Sequence, residues 1–182
     1  MTIIIIIALV ALLVLWAISV QRKLVSKDEL CSNSMSQIGV QQQSRWDAVT
    51  SLVQLTKSYN EHEYNTLKDV VAQRREIAGN SSAAEASAQE DMLVSAVSKI
   101  RLVAEQYPEL KASESYVKTM DSLNTYENQV RVSRMVYNDS VTQFNRLVRQ
   151  FPDSIVASIF GFRTKDYLKD PGEKAAMPPI NI

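Results

Sequence analysis

The sequence predicts an all-α fold: an N-terminal transmembrane helix, then an elongated antiparallel bundle of three long helices and a short C-terminal helix. Three observations predict it. The chain opens with a charge-free apolar run, Ile3–Val20. Structure breakers are scarce, with four glycines, five prolines and no proline before Pro108, which favours long helices over a turn-rich sheet. Downstream, apolar residues recur every three or four positions, the spacing of a helix packed lengthwise against others.

A chain of 182 residues has room for one ordinary domain and an appendage. Lys+Arg and Asp+Glu number 20 each, so the long-range positive field that draws a protein onto nucleic acid is missing. The one cysteine, Cys31, cannot form an internal disulfide. That leans toward a reducing compartment without deciding it.

As a helix, Ile3–Val20 would span roughly 27 Å, close to the hydrocarbon thickness of a bilayer. A cleaved signal peptide would begin with basic residues and end at a small-x-small site. Met1-Thr2 carries no base and Ala17-Ile18-Ser19-Val20-Gln21 is a poor cleavage match, so a retained anchor is assigned to residues 1–22. Arg22, Lys23 and Lys27 follow the run. The positive-inside rule therefore places the C-terminal body in the cytoplasm and the short N-terminus outside. Asp28-Glu29-Leu30-Cys31 lacks the small residues that precede a lipidated cysteine.

The helical body is assigned to 26–162. Ser26-Lys27-Asp28-Glu29 fits a capping box at a helix start; the alternative is one uninterrupted helix leaving the membrane. A two-per-seven seam then runs through Trp46, Val49, Val53, Thr56, Asn60, Glu63, Leu67, Val70, Arg74 and Ile77. Gly39 interrupts its early part at about 1 kcal/mol relative to Ala. This first cytoplasmic helix would be roughly 75 Å long. Gly79-Asn80-Ser81-Ser82 closes it, with Gly79 suited to a left-handed C-terminal residue.

Ser82-Ala83-Ala84-Glu85 and Ser87-Ala88-Gln89-Glu90 both match the capping box. Leu93, Val97, Ile100, Ala104 and Tyr107 line one face of the second helix, which Pro108 stops. A third helix, from about Ala112 to Gln150, repeats Tyr116, Leu123, Val130, Tyr137, Phe144 and Phe151 every seven residues. Met120, Glu127, Arg134, Val141 and Val148 fill the intervening seam positions. Phe151-Pro152-Asp153 breaks it, residues 154–159 add one or two turns, and 163–182 reads as an extended or flexible tail.

These separate segments, taken in order, resemble the LemA family of bacterial membrane proteins. The residues carrying the resemblance are the apolar N-terminal helix, Ser36-Gln37-Ile38-Gly39-Val40-Gln41, Tyr59-Asn60-Glu61-His62-Glu63, Tyr107-Pro108-Glu109-Leu110-Lys111, Tyr126-Glu127-Asn128, Tyr137-Asn138, Phe144-Asn145, and Phe151-Pro152 through Phe160-Gly161-Phe162. The likeness covers the chain from the anchor to Phe162. It implies an inner-membrane protein with a short outward N-terminus, a helical-bundle body and no established enzymatic activity. A relative in magnetotactic bacteria, associated with building magnetosome membranes, adds membrane shaping to what the resemblance implies. The chain departs from the family pattern at Ile38-Gly39-Val40 and at Arg45-Trp46-Asp47-Ala48-Val49-Thr50.

Charges aimed into a bundle cost desolvation unless paired. The polar seam residues Asn60, Glu63, Arg74, Glu127 and Arg134 are therefore expected to form an interhelical network that fixes register, with a ligand or partner site as the alternative. His62, within Glu61-His62-Glu63, is the one histidine. Di-iron bundles and zinc sites need several such ligands, so it reads as an exposed helical residue. No phosphate loop, dinucleotide fingerprint or nucleophile triad occurs. Phe160-Gly161-Phe162 is expected to dock back on the bundle; a neighbouring subunit or lipid headgroups are the alternatives.

The expected function is a membrane-tethered interaction or scaffolding protein that self-associates and organises or shapes a membrane. The alternatives are an accessory or sensor subunit docking another membrane protein and, behind it, an enzyme of unfamiliar mechanism. No catalytic, cofactor-binding or metal residue is assigned. The expected partners are the lipid bilayer, further copies of the chain and other membrane proteins, and no nucleic acid.

Overall fold

The computed structural model describes residues 1–169. Helices account for 82 % of them and no strand occurs among the described residues, in keeping with the all-α expectation. Helix α1 runs unbroken from Thr2 to Thr56, roughly 80 Å at the standard rise. Its first part is long and apolar enough to cross a membrane and projects alone, with Ile3 to Leu15 exposed. Ser26–Glu29 lies inside α1 and caps nothing. Leu24, Cys31, Met35 and Ile38 are buried on one face, so the packed stripe runs through the stretch where the capping motif suggested a start.

The first reversal comes at Lys57–Asn60, not at Gly79. Asn60 is extended, with φ −153°, and its side chain accepts a hydrogen bond from the Glu63 amide. It is therefore the N-cap of α2, Glu61–Ala72. The sequence Asn60-x-x-Glu63 supports helix starting and equally fits a seam running straight through, which is why spacing alone misplaced it. From Gln73 the chain is irregular until Ser82, which with Glu85 forms the expected capping box of α3, Ala83–Gln106. The Ser87–Glu90 motif falls inside α3.

Cross-contacts give the directions. Gln42 reaches Ala86 and Arg45 reaches Glu90, so α1 and α3 run parallel. Arg74 meets Asp47 and Ile77 lies on Gly39, so the leg descending along α1 is α2 and residues 73–82. That replaces the expected antiparallel second long helix. The short α4, Pro108–Ala112, places Pro108 at its first turn, where a missing N–H costs nothing. Helix α5, Glu114–Arg149, is antiparallel to α1, as Lys27 Nζ to Gln143 Oε1 (2.7 Å) and Ser34 Oγ to Ser140 Oγ (3.2 Å) show.

Tyr116, Leu123, Val130, Tyr137 and Phe144 are all buried, as their sevenfold spacing predicts. Phe151 is 77 % exposed because α5 ends at Arg149 and the phase is lost. Helix α6, Asp153–Ile159, follows. The core falls into two clusters. One, far from the apolar N-terminus, joins Trp46, Leu52, Leu93, Ile100 and Tyr116. The other, nearest to it, joins Val20, Leu24, Met35, Phe144, Val156 and Ala157.

Two glycines serve close approach. A Cβ on Gly39 would fall 1.8 Å from the Ile77 carbonyl oxygen, and one on Gly79 would fall 2.8 Å from the Ser32 carbonyl oxygen and the Ser36 hydroxyl. Gly79 does not take the left-handed conformation expected of it; positive φ occurs at Gly161, at 75°.

Residues 163–169 are ordered against α5 rather than forming a loose tail. Asn145 accepts from the Lys165 amide and donates to its carbonyl. Asn138 does the same for Leu168, whose side chain is buried. The rest of the expected tail, including Asp170-Pro171-Gly172 and Pro178-Pro179, lies outside the described residues.

Candidate functional site

The expected polar network does not form, because its members are scattered by the Lys57–Asn60 reversal. Asn60 caps α2 and donates to the Tyr107 hydroxyl (3.3 Å). Glu63 is half-buried in the first turn of α2. Arg74 pairs with Asp47 at the surface (3.2 Å). Glu127 is exposed. Arg134 is buried but donates to the Lys169 carbonyl, holding the C-terminal strap. His62 is exposed on α2, and among the described residues no three side chains of metal-binding type cluster.

Besides Arg134, two charges that the seam reading passed over enter the core. Arg45 lies one residue before the seam as drawn, and Glu90 looked like part of a helix cap. Arg45 Nη1 lies 2.6 and 2.7 Å from the two carboxylate oxygens of Glu90, and the residues are 1 % and 5 % exposed. Gln42 Nε2 bridges the Ala86 carbonyl and Glu90 Oε2. Gln42 Oε1, Arg45 Nε and the neighbouring Trp46 Nε1 are buried with no hydrogen-bond partner among the described residues. Such unmatched polar atoms are expensive in a core, so this cluster costs stability that an apolar packing would not.

Glu90 has a second environment. It lines a groove of about 540 Å³ between α3, α5 and the strap, with Val94, Glu127, Asn128, Val130, Arg131, Arg134, Met135, Asn138, Leu168 and Lys169 around it. The apolar part is Val94, Val130, Met135 and Leu168, and the rim carries both signs of charge. Such a lining suits a peptide segment with apolar anchors and charged flanks. Among the described residues it brings together no nucleophile and base of the kind catalysis requires.

Burial also marks other titratable groups. It pushes the Cys31 thiol up, against the opposing pull of Lys165. It likewise raises the phenols of Tyr116 and Tyr137. Glu85 is held below the usual carboxylate range by its hydrogen bonds from the Ser82 backbone and hydroxyl.

Phe162 stacks edge-on against Phe144, with centroids 6.2 Å apart, as the docking expectation had it. Phe160 stays exposed. Lys165 lies over the same Phe144 ring and pairs with Asp28 at 2.8 Å, tying the strap back to α1.

The magnetosome proteins MamQ 2 and MamQ 1 of Paramagnetospirillum magneticum strain AMB-1 are each 28 % identical to the chain over 75 residues, 41 % of its length and 28 % of theirs. MamQ of Magnetospirillum gryphiswaldense strain MSR-1 is 27 % identical over 75 residues, again 41 % of the chain and 28 % of the relative. The chain thus matches little more than a quarter of the length of these relatives. The LemA family model matches residues 34–181, from inside α1 through the end of the described strap and beyond, and the chain therefore belongs to the LemA family.

Proposed function

We propose that this protein is a non-catalytic, membrane-tethered scaffold of the bacterial inner membrane that self-associates through its helical body. The observation that carries the reading is the continuity of α1. The same helix that leaves the bilayer as an exposed apolar rod becomes the longest strut of the bundle, so the body stands at a fixed angle to its anchor rather than on a flexible leash. Tethering in two dimensions raises effective concentration, so weak lateral contacts between such bodies suffice for assembly.

Arg22, Lys23 and Lys27 at one end of the apolar run support an outward N-terminus and a cytoplasmic body. The likeness to proteins named for the magnetosome supports a part in organising or shaping membrane. Exposed Val132, Met135 and Val136 on α5 offer apolar contact points for a second copy.

A second reading, an accessory or sensor subunit for another membrane protein, draws support from the mixed-charge groove between α3 and α5. Crosslinking of the full-length protein in native membranes separates the two. Self-crosslinked ladders sensitive to Val132→Asp favour the scaffold. Recovery of one heterologous protein in stoichiometric amount, lost with Met135→Asp and unaffected by Val132→Asp, favours the accessory role. Exclusively monomeric species with no crosslinked partner reject both.

A further inference from the structure

We infer that α6 and its flanking residues form a second membrane contact, lying in the headgroup region of the bilayer that α1 crosses. The inference rests on the reading of α1 as a transmembrane helix and adds to it where the body touches the lipid surface.

The level of α6 along the molecule follows from the α1–α5 register. Lys27 faces Gln143; continuing six residues up α5 and six down α1 brings Arg149, the last residue of α5, level with Gln21. That is where the charge-free run Ile3–Val20 ends. The chain then turns into α6, whose inner face, Val156 and Ala157, belongs to the same buried cluster as Val20 and Leu24. Helix α6 therefore packs on α1 at the height where α1 leaves the hydrocarbon.

Its outer face is apolar. Phe151, Ile155, Ile159 and Phe160 are 77, 50, 74 and 57 % exposed. Four large apolar side chains on one short segment form a patch that water does not favour. At this height the available apolar medium is the bilayer interface, where aromatic and aliphatic faces bury between headgroups and acyl chains. Arg22 and Lys23 just past the apolar run, and Arg149 and Arg163 on either side of α6, are exposed, against one half-buried acid in α6, Asp153; the positive excess suits anionic headgroups. Position, apolarity and charge together select the lipid surface over a second copy.

The test uses full-length protein in vesicles of phosphatidylethanolamine and phosphatidylglycerol, in a Cys31→Ala background, with a nitroxide on Ile155→Cys, Ile159→Cys, Leu102→Cys or Ile7→Cys. Collision rates with oxygen, which partitions into lipid, and with a water-soluble nickel complex report where each label lies. The expected result is a several-fold higher oxygen-to-nickel ratio at 155 and 159 than at 102, with 7 higher still. Labels at 155 and 159 as open to nickel as that at 102, with 7 still in lipid, overturn the α6 contact and leave the anchor intact. Labels at 155 and 159 shielded from both reagents assign the patch to a second copy and also overturn it. A label at 7 open to nickel removes the transmembrane reading itself.

Discussion

Gly39 on α1 lies so close to Ile77 that a side-chain carbon would fall 1.8 Å from the Ile77 carbonyl oxygen. The obstacle is backbone, so it cannot swing aside. Ala would favour the helix by about 1 kcal/mol, but overpacking of this kind costs typically 1–3 kcal/mol. Gly39→Ala should therefore lower stability despite the better helix former, seen as a reduced melting temperature in detergent or nanodiscs. A raised melting temperature would mean that residues 73–82 do not pack on α1 as described.

The Arg45–Glu90 pair should show strong non-additivity. Glu90→Ala leaves a buried guanidinium unmatched and should cost about 3–5 kcal/mol, whereas replacing both partners by apolar residues of similar size should be far less costly or neutral. Denaturant unfolding of Glu90→Ala measures the first cost, and Glu90→Leu, Arg45→Met and the Arg45→Met/Glu90→Leu double variant close the cycle. Additive losses would show that the charges do not meet.

The strap is held chiefly through side-chain amides. Asn138 and Asn145 each pair with both backbone groups of a strap residue. At about 1 kcal/mol net for each hydrogen bond, Asn138→Ala/Asn145→Ala should free residues 163–169 while leaving α5 intact. Amide exchange at Lys165 and Leu168 should accelerate, and protease should cut near Arg163 and Lys165. Unchanged exchange would place the strap's stability elsewhere, in Leu168 and Phe162.

Acid should loosen the start of α3 before the rest. The Glu85 carboxyl is lowered by its Ser82 hydrogen bonds. A lowered folded pKa stabilises the fold above the ordinary carboxylate range, and that contribution disappears as pH falls through the folded value. Amide exchange over residues 83–86 should rise selectively with acidification, and Glu85→Gln, which keeps the side-chain shape but cannot titrate, should remove the pH step. A step that persists in Glu85→Gln would assign it to another group.

Period and composition made the all-helical class, the apolar anchor, the Ser82–Glu85 cap and the α5 heptad legible, because each depends on local spacing. The reversal at Asn60 was not legible from the seam. Thr56, Asn60 and Glu63 keep helical spacing across a break, and only the capping preference of Asn argues for a boundary. Ser26–Glu29 misled in the opposite sense, since a local motif cannot outweigh a stripe of Leu24, Cys31 and Met35 packed on α5. Arg45 and Glu90 meet across 45 residues of chain, and nothing in either local pattern announces the partner. The strap is polar by composition and reads as loose; its order comes from two asparagines on another element.

The unbroken run of α1 from its apolar end into the bundle is tested most directly by the distance between spin labels at Val10→Cys and Val40→Cys, measured by pulsed dipolar spectroscopy in nanodiscs in a Cys31→Ala background. Both positions are exposed and lie 30 residues apart, roughly 45 Å on a straight helix. The account predicts one narrow distribution centred near that value. A broad distribution, or one centred well below it, would show a hinge at the membrane surface and contradict a rigidly mounted body.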